Sequence, residues 1–293
     1  MTATEQRTFP VHRNPRWNRL RNFLLSDRGA QVTATVAFIA LWQLLSLAFP
    51  RVPGPWAVVT FLFIEMTGGS HGGILRGQFW GHFAATLRRY AIGMLIGFVG
   101  GVLVGVLIGS SSLAKALIND TVLVLLAMPV FVWAFLTTMW FGIGWEAPTY
   151  TVALSALPYV AINVAAGVRA ITPDLKNMSS AFGVSRWKRF RHLTIGGIMG
   201  YVFAGLRFAM LISWNGVLLS EWFNGQDGVG FRTRYWFDAN RYRGFVGWVV
   251  SFVVFIIVLD RFVLSPLQER NFRWRNPSGD DHSPPDITAP GTA

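Results

Sequence analysis

TYTVALSALPYVAINVAAGV, from Thr149 to Val168, carries no charged side chain, and AITPDLKNMSSAFGVSRWKRFRHL, from Ala170 to Leu193, follows it almost at once with a cluster of cations. Crossing the roughly 30 Å of hydrocarbon in a bilayer takes about 20 apolar residues at 1.5 Å each. The first stretch therefore reads as a membrane-spanning helix, and the second as the polar segment waiting at its end. Outward from this pair, similar spans are predicted at Val32 to Ala48, Gly81 to Gly109, Thr121 to Trp140 and Phe245 to Val263. A sixth, Ile195 to Leu219, is interrupted by Arg207 and several glycines. The expected fold is all-α and integral to the membrane, with about six transmembrane helices and a helical cytoplasmic segment between the fourth and fifth.

Composition agrees. The 293 residues are 52% hydrophobic and 14% charged, with mean hydropathy +0.41, whereas an ordinary soluble domain is about 25% charged. Cysteine is absent, which excludes disulfide frameworks, thiolate metal sites and cysteine nucleophiles. The net charge of +12 points to anionic lipid headgroups and not to nucleic acid, because of where the cations fall. Arg7, Arg13, Arg16, Arg19, Arg21 and Arg28 precede the first span; Arg169, Lys176, Arg186, Lys188, Arg189 and Arg191 lie between the fourth and fifth; Arg270, Arg273 and Arg275 follow the sixth. An even span count brings all three groups to one face, which the positive-inside rule makes cytoplasmic. Arg232, Arg234, Arg241 and Arg243 run against the rule by falling in an outer loop. The expectation is a multi-pass protein of the plasma or inner membrane with both termini in the cytoplasm. It divides into a basic tail (1–30), a transmembrane domain (31–264) and a C-terminal tail (265–293), polar, proline-rich and disordered from about 276.

Two stretches carry more than hydropathy. Gly93, Gly97, Gly101, Gly105 and Gly109 recur every fourth residue, so they share one helix ridge on which another backbone can approach closely. In the polar segment, Thr172 is placed to cap a helix that Pro173 opens. Gly183 suits the left-handed turn that ends it, and Ser185 can cap a second, basic helix leading into span five. Inside the membrane, Arg207 is expected to pair with Glu221 or with a polar group of another helix, or else to face the solute path. Asn163 and Asn215 are the other deep polar candidates for lining a path. Asp120 and Asp260 lie near span ends, where an interfacial carboxylate needs no special role.

FGIG (Phe141 to Gly144), GVRAITPDL (Gly167 to Leu175), AFGVSRWKRFRHL (Ala181 to Leu193), AGLRFAM (Ala204 to Met210) and SWNGVLLSEW (Ser213 to Trp222) together resemble the permease subunits of binding-protein-dependent ABC importers. The resemblance is to the branch carrying nitrate, sulfonate, taurine and related small solutes, and covers roughly three quarters of the chain. It implies that residues 172–192 form a coupling segment that docks on an ATPase subunit, with Pro173, Asp174, Asn177, Ser179, Gly183 and Arg186 as its marked positions. The family signature there begins Glu-Ala-Ala with a glycine four residues after the second alanine. Here Asn177, Met178 and Ser179 replace the first three and Gly183 is retained, while Ile195 and Gly196 replace a later Leu-Pro. The implied partners are an ABC ATPase, an extracytoplasmic solute-binding protein, a second permease copy or a sister permease, and membrane lipid.

No phosphate-binding loop is present, since the three lysines, Lys115, Lys176 and Lys188, are followed by Ala, Asn and Arg. Energy must then come from a partner, and no cofactor, metal site or catalytic residue is expected. Two alternatives stay open beside the importer subunit: a supporting permease-like chain that has lost its ATPase docking, and a membrane-embedded lipid enzyme.

Overall fold

The computed structural model describes residues 26–68, 78–264 and 266, and every regular element among them is helical. Both tails proposed above, apart from residues 26–30 and 266, lie outside the described residues. Five helices among those described are long and apolar enough to cross a membrane, or six if one bent pair counts as a span. The long ones are α1 (Asp27–Ala48), α3 (Gln78–Ser110), α6 (Glu146–Ala170), α9 (Ile195–Asn224) and α11 (Tyr242–Leu259). Between them come α2 (Pro55–Thr67), α4 (Ser112–Ala127), α5 (Val130–Phe141), α7 (Pro173–Ala181), the short α8 (Arg186–Lys188) and α10 (Val229–Asp238). Arg189–Thr194 and Asp260–Leu264 are π-helical.

The chain separates into two compact units, residues 1–61 and 62–293, with α2 running through the boundary. In the first, Ser26 Oγ accepts the Gly29 N–H at 3.1 Å and starts α1. After α1, the Trp42 indole N–H donates to the Pro53 carbonyl at 3.0 Å and fixes the turn that follows.

The second unit is organised around α6, the most buried of its helices. Its Val152, Ala156, Val160 and Val164 are fully enclosed. The glycine ridge of α3 lies directly on it. A Cβ added at Gly97 would stand 2.6 Å from the Ala153 carbonyl oxygen, one at Gly101 2.6 Å from Val160 Cβ, and one at Gly105 2.6 Å from the Ala161 carbonyl oxygen. The four-residue period on α3 thus meets a four-residue period on α6, backbone against backbone, the contact that small residues make possible in lipid. On the other side of α6, Gly205 of α9 fits against Asn163 and Val160, and Gly216 against Thr151 and Ser155. Tyr90 of α3 and Trp214 of α9 stack with ring centroids 3.6 Å apart and planes 3° from parallel.

One predicted span is not a single helix. Thr121 to Trp140 is divided between α4 and α5, which meet at 102°. The cause is local: Pro129 cannot donate the backbone bond that would continue α4, and it forces Met128 into an extended conformation, with φ −66° and ψ 125°.

Candidate functional site: the segment between α6 and α9, a buried ion cluster and a cavity at the α4–α5 break

The segment between α6 and α9 folds as its sequence indicates, with one exception. Pro173 stands at the opening of α7, and Gly183 adopts φ +65°. The Val184 N–H donates to the Ser179 carbonyl and the Gly183 N–H to the Ser180 carbonyl, both at 3.0 Å, so the last carbonyls of α7 are satisfied by the paired closing bonds that a left-handed glycine allows. Ser185 starts the next helix, its hydroxyl accepting the Lys188 N–H at 3.4 Å. The exception is Thr172, which has the extended backbone of a cap but makes no side-chain capping bond. Asp174 lies in the first turn of α7, where a carboxylate complements the helix dipole. Asp174 and Asn177 are exposed and Ser179 is half-buried. Arg186 begins α8, which passes through the π-helical Arg189–Thr194 into α9.

Sequence reasoning missed the apolar face of this segment. Leu175, Met178 and Phe182 follow at i, i+3 and i+7, so they share one side of α7, and they are 43%, 54% and 78% exposed. Trp187 beyond the turn is exposed as well. The signal that marks it is the i, i+3, i+7 spacing of the three apolar residues in an otherwise polar segment.

At the opposite end of α3 and α9 lies a buried ionic cluster. The Glu221 carboxylate, fully enclosed, accepts from Arg89 Nη1 at 2.8 Å, from Thr86 Oγ1 at 2.8 Å and from the Gly230 N–H at 3.0 Å. Arg89 reaches on to the Asp227 carboxylate through Nη2 and to the Asp227 carbonyl at 3.1 Å. Thr86 Oγ1 also accepts the Val229 N–H at 2.8 Å, and His82 Nδ1 accepts the Gly228 N–H at 3.0 Å. Five side chains, those of His82, Thr86, Arg89, Glu221 and Asp227, thereby tie α3, α9 and the start of α10 together. Glu221 is therefore not the partner of Arg207. Arg207 stands 3.7 Å from Asp260 in the π-helical end of the last span, the polar group on another helix that the sequence allowed. The two residues of α9 are fourteen positions apart, about 21 Å along one helix, too far to meet.

Among the arginines between α9 and α11, Arg232 bonds Glu65 of α2 at 3.0 Å and lies over Trp236, with its guanidinium carbon 5.5 Å from the ring centroid. Arg234 bonds Asp238 at 3.3 Å and the Trp222 carbonyl at 3.1 Å.

Asn163 turns back on its own helix, donating to the Tyr159 carbonyl at 2.8 Å. Asn215 is exposed and makes only a long bond, 3.4 Å, to the Leu211 carbonyl. It lines a cavity of about 280 Å³ at the break between α4 and α5, together with Met128, Pro129, Trp133, Ser155 and Tyr159. No group of three or more potential metal ligands occurs among the described residues.

Residues 97–265 match the family of binding-protein-dependent transport system inner membrane components. The chain is similar to the bicarbonate transport system permease protein CmpB of Synechococcus elongatus, 27% identical over 78% of this chain and 84% of that protein. It is similar to the nitrate import permease protein NrtB of Leptolyngbya laminosa, 30% identical over 68% and 72% respectively. The putative aliphatic sulfonates transport permease protein SsuC of Escherichia coli is 29% identical over 67% and 73%. Among solved structures, an amino acid ABC transporter superimposes with TM-score 0.55 at 18% identity, over 66% of this chain and 94% of the other. The inward-facing MetNI methionine ABC transporter does so with TM-score 0.53 at 17% identity, over 73% and 97%.

Proposed function

Because the chain belongs to the binding-protein-dependent transport system inner membrane components, the permease subunits of ABC importers, we propose that it forms half of a membrane pathway for a small oxyanion such as nitrate, bicarbonate or an alkanesulfonate. The observation that carries the substrate class is the agreement among relatives: three permeases at 27–30% identity are named for bicarbonate, nitrate and aliphatic sulfonates. Such a subunit is not itself catalytic. A separate ATPase supplies the energy and an extracytoplasmic binding protein delivers the solute, with a second copy or a sister permease completing the route.

The ATPase docks on α7 through Leu175, Met178 and Phe182. Their exposed apolar face supports this mode of contact where the family's acidic signature residue is replaced by Asn177. Closing the ATPase pair on ATP then biases the transmembrane helices toward the outward-open state, since a ligand shifts an equilibrium only by its difference in affinity for the two states.

The test is affinity capture of the full chain from mild detergent, identification of what accompanies it, and reconstitution of that complex with its binding protein for anion uptake. We expect an ATPase subunit to co-purify and ATP-dependent uptake of at least one of nitrate, bicarbonate and ethanesulfonate. In that complex Gly183→Pro removes the left-handed turn, and we expect it to leave membrane insertion intact while uncoupling ATP hydrolysis from uptake. A chain that captures no ATPase supports instead the supporting-subunit reading, which the replaced signature favours.

A further inference from the structure

The cavity at the break between α4 and α5 has the makings of a ligand site within the membrane. Asn215 lies nine residues before the end of α9 and Ser155 nine after the start of α6, which places both about 14 Å inward from those helix ends. Among the described residues the Tyr159 hydroxyl makes no hydrogen bond, although it lines this cavity. The Asn215 amide has only its long bond to Leu211. Polar groups left unpaired at such depth are costly unless water or a ligand meets them. The volume of about 280 Å³ holds roughly nine waters at their liquid volume, room for a small solute with part of its hydration shell.

The charge of the lining narrows the class. Among the described residues no Asp, Glu, Lys or Arg borders the cavity, so a metal cation finds no carboxylate among them. An anion finds neutral N–H and O–H donors without a fixed positive charge to hold it. The break also puts a helix C-terminus, Ala127, and a helix N-terminus, Val130, on the same wall; their opposed partial charges leave the side chains to decide the sign. Passage requires binding strong enough to enter and weak enough to leave, which neutral donors provide and an arginine would not.

We infer that this cavity is a low-affinity transit site for a small oxyanion, in which the Asn215 amide and the Tyr159 hydroxyl donate to the anion's oxygens at the elbow between α4 and α5. This rests on the oxyanion-importer reading above.

The test uses the complete complex in proteoliposomes, with nitrate, bicarbonate and ethanesulfonate as probes, and reads anions moved per ATP hydrolysed. Asn215→Asp is nearly isosteric and places a like charge against the solute. We expect the ratio to fall at least tenfold, the direction and scale of a close like-charge contact, and Tyr159→Phe to lower it about threefold, the loss of one neutral hydrogen bond. A variant that only folds poorly lowers uptake and hydrolysis together and leaves the ratio unchanged. An unchanged ratio in both variants, with the wild type transporting, overturns the transit site alone. If the wild type moves none of the three anions, the oxyanion reading falls and the transit site with it.

Discussion

Glu221 is fully enclosed, and its charge is supported by Arg89, Thr86 and the Gly230 N–H, all within 3.0 Å. Removing one side of a buried ion pair strands the other and costs about 3–5 kcal/mol. We expect Glu221→Ala to lose most of the folded protein in detergent, read as a lowered midpoint in thermal unfolding followed by gel filtration. Thr86→Val, which removes one donor to Glu221 and the acceptor of the Val229 N–H but no charge, costs about 1–3 kcal/mol and should give a smaller shift in the same assay. The sequence marked Glu221 as an intramembrane carboxylate in need of a partner, but it could not identify Arg89, 132 positions away in the chain. The pairing of Glu221 with Arg207 expected from the sequence fails because both lie on the single helix α9, fourteen positions apart; choosing among the remaining cations required the fold.

Along whole elements, hydropathy reports how much apolar length is present and the glycine period reports which face is smooth. Both were readable in α3. The seam with α6 follows from that ridge, and it predicts how the ridge tolerates change. Gly101→Val drives a branched side chain toward Val160 and the Leu157 carbonyl, an overpacking that costs about 1–3 kcal/mol or more. Gly81, on the same helix, has nothing within 4 Å of an added Cβ, so Gly81→Ala should leave yield and unfolding temperature unchanged or slightly raised. Comparing the two variants by fluorescence-detected gel filtration separates the seam from a general intolerance of α3. The elbow at Met128 and Pro129 was harder to read. A window average over Thr121 to Trp140 sees only apolar side chains, and a proline inside a span often produces a modest kink instead of a 102° turn.

For the molecule as a whole, orientation follows from where the cations lie. Placing residues 172–192 in the cytoplasm sends Arg232, Arg234, Arg241 and Arg243 outward, against the usual bias. Arg232 and Arg234 have carboxylates of their own at 3.0 and 3.3 Å, which lessens their net charge at that surface in the folded protein. In a chain without native thiols, single cysteines report sidedness cleanly. We expect positions 180 and 278 to be shielded from an impermeant maleimide applied to intact cells and position 227 to be labelled. Labelling at 180 from outside would invert the arrangement.

The seam between α3 and α6 also bears on how motion travels. From Gly93 to Gly109 the two helices stay in close contact for sixteen residues, about 24 Å, with stiff β-branched valines of α6 and its backbone carbonyls against the glycines. A pair joined in this way is expected to tilt together. One end continues through Ile171 into α7, and the other carries Arg89 and the loop that Arg89 holds. A tilt imposed at the turn after α6 is then expected to reach the Asp227 loop at the far end of the seam.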